Sequence, residues 1–219
     1  MDRITEAFEA AKRIVDMVED FGLNITDPED IINSYGEGIH PSGMYCDWGA
    51  SRLVIWDDDC DFVIKIARGE EYEKYNRREV EIYTAAVQEN IERNFAWCAC
   101  YCEPCEDDDF YNPGIYVYEY LEHDRDKIDD EVWVYGYKEF CSENGYNSDS
   151  YEYASEYNSW RTEDEEDEAL DYFMSDMDMR EREAFYIFFR KWHINDVHLG
   201  NYSWRGNCMV IHDYAGWNW

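Results

Sequence analysis

Residues 194–201, INDVHLGN, and residues 210–216, VIHDYAG, are the stretch on which the fold reading turns. Asp196 and Asn201 share one polar loop, and Asp213 follows after two short apolar runs, NYSW and CMVI. Two such runs in close succession predict a small hairpin that holds the polar positions at one end. A single loop aspartate is ordinarily a turn or cap residue, so the signal lies in the coupled spacing. Phosphoryl transfer asks a protein for carboxylate or amide oxygens on a metal, a carboxylate beside the acceptor hydroxyl and a clamp on the phosphates. The tail supplies the first two.

Working outward, the 219 residues are 45% hydrophobic and 18% aromatic, enough to bury a core despite 52 Asp and Glu against 19 Lys and Arg. The net charge of −33 excludes direct nucleic-acid binding and attraction to anionic membranes. It favours a basic partner, a surface that mimics nucleic acid, or simply an acidic solvated exterior. No apolar run reaches the roughly 18 residues of a membrane helix. The N-terminal MDRITEAFEAAKRIVDMVEDF is charged and amphipathic, which predicts a cytoplasmic protein without a leader. Eight cysteines are then expected as thiols or metal ligands rather than disulfides.

Apolar spacing predicts a helix over 2–21 through Ile4, Phe8, Ala11, Ile14, Val15 and Val18. A turn-rich stretch around 35–43 precedes three antiparallel strands within 44–67, with turns near Gly49 and at 57–59. Residues 70–93 return to helical period, with Val80, Tyr83, Ala86, Val87 and Ile91 on the apolar face. Two more strands, FAWCACYCE and GIYVYEYLE, flank an acidic turn. Beyond residue 124 helices are expected, with an exposed polar insertion at 141–168 and one long helix over 167–191. Cys98, Cys100 and Cys102 alternate along a strand. With Cys105 they form either a zinc site or small side chains beneath the sheet.

NDVHLGN resembles the catalytic loop of protein kinases and of aminoglycoside phosphotransferase-like small-molecule kinases, and DYAG resembles their metal-binding element. The resemblance implies that Asp196 orients or deprotonates an acceptor hydroxyl. It also implies that Asn201 and Asp213 hold magnesium and that His198 touches the moving phosphate. Lys65 in VIKIA resembles the strand lysine that grips nucleotide phosphates, and Glu79 in REVEIY the helix carboxylate paired with it, with Glu81 as the alternative. VYEYLE resembles the hinge whose backbone around Glu119, Tyr120 and Leu121 holds adenine, and Gly49 and Ser51 stand in the phosphate loop. The implied architecture is α+β, a protein-kinase-like bilobal fold with an antiparallel N-lobe sheet and a reduced helical C-lobe. Its parts are an N-terminal extension at 1–43, an N-lobe at 44–121 and a C-lobe at 122–219. ATP and magnesium are the implied cofactors, and a hydroxyl-bearing molecule the acceptor of the γ-phosphate.

Two departures from the family shape the expectation. CDWGAS offers Gly49 alone where the family presents several glycines, with GEG at 36–38 lying early. The sequence ends at Trp219, close behind Gly216, so support for the catalytic loop is expected from the N-terminal helix, the 124–191 region, Trp217 and Trp219. His193 and His212 read as packing residues near the loop pair. The alternative function is an inactive kinase-like acidic protein, a nucleic-acid mimic of the phage or mobile-element type that inhibits a basic host protein.

Overall fold

A computed structural model describes residues 2–58, 61–107, 110–161, 165–195 and 197–215. The protein is α+β, with a five-stranded antiparallel sheet and, among the described residues, seven α-helices. The chain divides into two compact units, Met1–Leu121 and Glu122–Trp219.

In the first unit, helix α1 (Arg3–Asp20) starts at Asp2, whose side chain accepts from the Thr5 N–H at 2.9 Å. Its buried stripe is Ala7, Ala10, Ala11, Ile14 and Val18, while Ile4, expected on that stripe, is 48% exposed. The alanines let the helix approach the sheet closely. Helix α2 (Pro28–Gly36) lies between the expected helix and the turn-rich stretch around 35–43, where no element was expected. Asp27 as cap followed by Pro28 in the first turn is an ordinary helix start, a signal the sequence reading left unused.

Strands β1 (Met44–Trp48), β2 (Arg52–Asp57) and β3 (Phe62–Ala67) form a meander. Helix α3 (Glu70–Glu89) follows, then β4 (Cys98–Cys102), a small hairpin of β5 (Cys105–Asp107) and β6 (Phe110–Asn112), and β7 (Ile115–Glu119). The sheet order is β1-β2-β3-β7-β4. Because strand residues alternate in direction, the register sorts the side chains into two faces. Leu53, Ile55, Ile64, Ile66, Ile115 and Val117 form one apolar face and share a core cluster with α1. Arg52, Lys65, Tyr116, Tyr118, Cys98 and Cys100 share the opposite face, against which α3 lies.

Helix α3 carries a correction. Its buried residues are Glu73, Asn76, Glu79, Ile82 and Ala86, and Val87 is 47% exposed. Of the expected apolar face Ala86 and Ile91 are buried and Val80 and Tyr83 half-buried, while the side that meets the sheet's polar surface does so with Glu73, Asn76 and Glu79.

The second unit opens with α4 (Arg125–Asn144), capped by Asp124 and closed by Gly145 at φ +70°. Helices α5 (Ala154–Arg161), α6 (Glu165–Met174) and α7 (Met179–Lys191) follow, then strands β8 (Tyr202–Arg205) and β9 (Cys208–Ile211), paired antiparallel as the NYSW and CMVI runs predicted. The region expected as an exposed insertion is exposed at most of its described positions, yet it is anchored by aromatic packing. Tyr137, Phe140, Cys141 and Tyr157 are buried together, and Tyr146 stacks on Tyr153 at 3.8 Å. The expected long helix is two, since Asp178 and Glu181 form a capping box that starts α7 afresh. Among the described residues no helix is long and apolar enough to cross a membrane.

Gly136, in the middle of α4, marks a close approach. A Cβ there would collide with the Tyr157 hydroxyl, on a fully buried ring, and with the Glu168 carboxylate, which Arg161 holds at 2.5 Å. Helix propensity alone would make Gly136→Ala stabilising by about 1 kcal/mol. The collision reverses the sign, and urea denaturation should show a loss of about 1–3 kcal/mol.

Candidate functional site

The sheet's polar face and helix α3 enclose a buried ionic layer. Glu79 is fully buried, and its Oε1 accepts from Arg52 Nη1 at 2.9 Å while Lys65 Nζ lies 3.9 Å from its Oε2. Taking a carboxylate out of water costs several kcal/mol unless charge and hydrogen bonds replace the lost hydration. Two cations from neighbouring strands do so here. The Lys65 ammonium also sits 4.3 Å over the Tyr118 ring. Glu81, the alternative partner, is exposed one helical face away.

One turn earlier on α3, Asn76 accepts at Oδ1 from Arg52 at 3.4 Å and from the Tyr118 hydroxyl at 3.5 Å. A further turn back, the Glu73 carboxylate accepts from the Tyr111 hydroxyl at 3.1 Å and from the Gly114 N–H at 3.3 Å. A Cβ on Gly114 would crowd Glu73 at 3.0 Å, which accounts for glycine there. Burial first, then nearby carboxylates, raises the Tyr111 and Tyr118 phenols far above their ordinary range. Both therefore remain hydroxyl donors.

Apolar periodicity missed this layer. Glu73, Asn76, Glu79 and Ile82 recur every third residue and Ala86 continues the line, so the stripe is regular in spacing though polar in content. Arg52 was missed as well. Its signal was its place in strand alternation, on the same side of the sheet as Lys65.

Other nucleotide-site residues read from the sequence carry internal bonds. The Gly49 N–H donates to the Arg52 carbonyl at 3.1 Å, and its carbonyl accepts from Arg68 Nη1 at 2.6 Å, closing the β1–β2 turn. The carbonyl of Ser51 accepts from the Arg68 N–H at 2.9 Å. The Glu119 N–H donates to the Trp97 carbonyl at 2.9 Å, and its carboxylate holds Arg3 at 2.8 Å and the Trp97 N–H at 3.1 Å. The Tyr120 N–H donates to the Asp61 carbonyl at 2.8 Å. Of the expected adenine-holding backbone, these two N–H donors are thus engaged within the first unit, and Leu121 is half-buried at its end.

In the second unit the β8–β9 register sets Asn201 and His212 opposite each other, with the His212 N–H donating to the Asn201 carbonyl at 2.8 Å. Asn201 is buried in a 3-10 turn, Leu199–Asn201, and Asp213 is the residue after His212. The hairpin therefore brings Asn201 and Asp213 to one end. Asp213 has φ +53°, a left-handed conformation that costs energy in a non-glycine residue and is tolerated best by Asp and Asn. His198 Nδ1 accepts from the Gly200 N–H at 3.0 Å and caps the turn, which puts the proton of the neutral ring on Nε2. His212 packs edge-on to His123 at 5.7 Å, and His123 Nδ1 contacts the Tyr202 carbonyl at 2.9 Å. Asp196, Trp217 and Trp219 lie outside the described residues.

One amide and one carboxylate make a donor set of hard oxygens. This suits magnesium, which takes one or two protein oxygens and completes its shell from phosphate and water. Among the described residues no group of three His, Cys, Asp or Glu is arranged around a metal position. The cysteine alternation is broken by a register shift between Cys100 and Cys102, leaving Cys98 buried and Cys102 and Cys105 exposed. Burial and then Glu103 push the Cys100 thiol up to about 12.

Replacing Glu79 with Ala leaves the Arg52 and Lys65 charges without their shared carboxylate and should cost about 3–5 kcal/mol in urea denaturation. Glu81→Ala should stay within about 0.5 kcal/mol of the parent. Equal effects of the two would remove the structural distinction between these glutamates.

Comparison with protein-family models, curated proteins and solved structures finds no match to this chain. The functional reading therefore stands on the geometry of these two side-chain groups.

Proposed function

We propose that the protein is a kinase-like phosphotransferase of bilobal design that binds ATP with magnesium and transfers the γ-phosphate to a hydroxyl acceptor. The observation that carries the proposal is the approach of Lys65, on the third strand, to Glu79, on the helix that follows, because this strand-lysine and helix-glutamate pair is the part of a kinase that aligns nucleotide phosphates. The hairpin end that gathers Asn201 and Asp213 supports it, as a donor set suited to magnesium.

In this reading Lys65 holds phosphate oxygens and Glu79 keeps its ammonium in place. Asn201 and Asp213 hold magnesium, which when bound offsets the charge of the phosphates. Asp196 accepts the proton of the acceptor hydroxyl as its oxygen forms the new P–O bond. The bond from the γ-phosphorus to the bridging oxygen breaks, and ADP leaves with that electron pair. In this reading His198 donates from Nε2–H to the transferred group. The setting is cytoplasmic, where ATP and magnesium are plentiful.

A second reading has its own observation. A cavity of about 370 Å³ within the second unit is bordered by Glu139, Glu143 and Asp171, by Glu168 with its partner Arg161, and by Tyr135 and Trp160, so its acidic side chains outnumber its one cation. With a net charge of −33, such acidic, aromatic lining suits a cationic side chain of a basic protein partner, as in an inhibitor or nucleic-acid mimic.

Calorimetry separates the two. The phosphotransferase should bind ADP only with magnesium, lose that binding by at least about a hundredfold in Asp213→Ala, and release ADP from ATP at a rate that falls about a thousandfold in Asp196→Ala. A binding protein would show no magnesium-dependent nucleotide binding. It would instead hold a basic partner with an affinity that drops steeply with salt and ignores Asp196→Ala.

A further inference from the structure

Glu79 is approached by two cations rather than one, and they approach differently. Arg52 Nη1 makes a hydrogen bond to Oε1 at 2.9 Å, whereas Lys65 Nζ, at 3.9 Å from Oε2, is in ion-pair range but beyond hydrogen-bond length. Arg52 Nη1 also reaches Asn76 Oδ1 at 3.4 Å, so one guanidinium spans two successive turns of α3. The register places Arg52 opposite Ala67 and Lys65 opposite Val54, which sets the two cations diagonally across adjacent strands on one face of the sheet. In kinases a single lysine both pairs with the helix glutamate and holds phosphate. Here the two tasks have two residues available.

We propose that Arg52 is a positioning residue of the nucleotide site: it fixes Glu79 and the α3 face from strand β2 through the hydrogen bond to Oε1, and Lys65, at ion-pair distance from Oε2, is the cation that meets nucleotide phosphates. The chemistry of the two side chains suits this division. A planar guanidinium is always charged, weakly hydrated and pre-organised for hydrogen bonds to fixed acceptors, which favours it for a buried structural pair. An ammonium is a compact point charge with three donors on a flexible stem, which suits it to a phosphate ligand. Tyr118 assists both, since its hydroxyl bonds Asn76 and its ring lies beneath Lys65. The proposal rests on the phosphotransferase reading for the identity of the ligand. The assignment of Arg52 as the residue that fixes Glu79 does not.

Two measurements on the full chain test the two halves separately. Without nucleotide, double-mutant cycles in urea compare Arg52→Ala with Glu79→Gln and Lys65→Ala with Glu79→Gln. The Arg52–Glu79 coupling should change the unfolding constant about tenfold or more, and the Lys65–Glu79 coupling about threefold or less. A Lys65 coupling equal to or larger than that of Arg52 overturns the proposal. Arg52→Gln replaces the alanine variant if the latter does not fold.

With magnesium and ADP as the probe, Arg52→Ala should weaken binding about tenfold. Low-millimolar guanidinium should restore much of that affinity by filling the vacated position, while Lys65→Ala should lose binding without rescue. Unchanged affinity in Arg52→Ala alongside abolished affinity in Lys65→Ala overturns the positioning role and leaves the phosphotransferase reading standing. If the parent protein binds no Mg·ADP, the phosphotransferase reading falls and takes the nucleotide role of Arg52 with it.

Discussion

A carboxylate with no exposure to water has to be neutralised where it sits, and Glu79 sets that constraint on the first unit. Arg52 and Lys65 must face the same side of the sheet, so strands β2 and β3 pair in the one register that puts them there. A one-residue slip of β3 would turn Lys65 toward the α1 face, away from Arg52, and Ile64 and Ile66 toward α3. Helix α3 must present Glu79 inward, which also turns Glu73 and Asn76 inward and brings the tyrosines and the Gly114 N–H to meet them. The apolar face under α1 and α2 supplies the hydrophobic stabilisation. The ionic face fixes how the parts are aligned.

The second unit reaches its order by a different route. Aromatic rings from α4, α5 and the segment between them pack around Tyr157, and Arg161 ties Asp129 to Glu168 across 2.8 and 2.5 Å. A strongly acidic chain gains from such an arrangement, because a single half-buried guanidinium offsets two carboxylates that would otherwise repel. The β8–β9 hairpin then depends on four-residue strands with buried Tyr202, Ser203, Val210 and Ile211, and it ends where Asn201, His212 and Asp213 gather. The left-handed backbone at Asp213 is strain held at a candidate functional position, as is common where a side chain must be aimed rather than merely accommodated.

Much of this was legible from residue order. Strand alternation in 44–67 and the β8–β9 hairpin from NYSW and CMVI are visible in spacing, and the pairing of Lys65 with Glu79 over Glu81 is what the kinase resemblance implied. What stayed hidden had physical causes. The face of α3 against the sheet is largely polar, so a rule that equates apolar with inward found Ala86 and Ile91 but missed Glu73, Asn76 and Glu79 and put the exposed Val87 inside. The stretch around Tyr157 looked solvated because tyrosine counts as half polar, yet its rings close a core once Tyr137 and Phe140 are adjacent. The break before α7 was written in Asp178 and Glu181, a capping signal that a continuous apolar periodicity obscured. The engagement of the Gly49, Glu119 and Tyr120 N–H groups with neighbouring carbonyls depends on long-range pairing that no local pattern encodes.

The most direct measurement is a crystal structure of the protein with magnesium and a non-hydrolysable ATP analogue. The account predicts a phosphate oxygen about 3 Å from Lys65 Nζ, Glu79 still bonded to Arg52, and the metal on the side-chain oxygens of Asn201 and Asp213. A nucleotide seated away from Lys65, or a metal that leaves both Asn201 and Asp213 untouched, would contradict it.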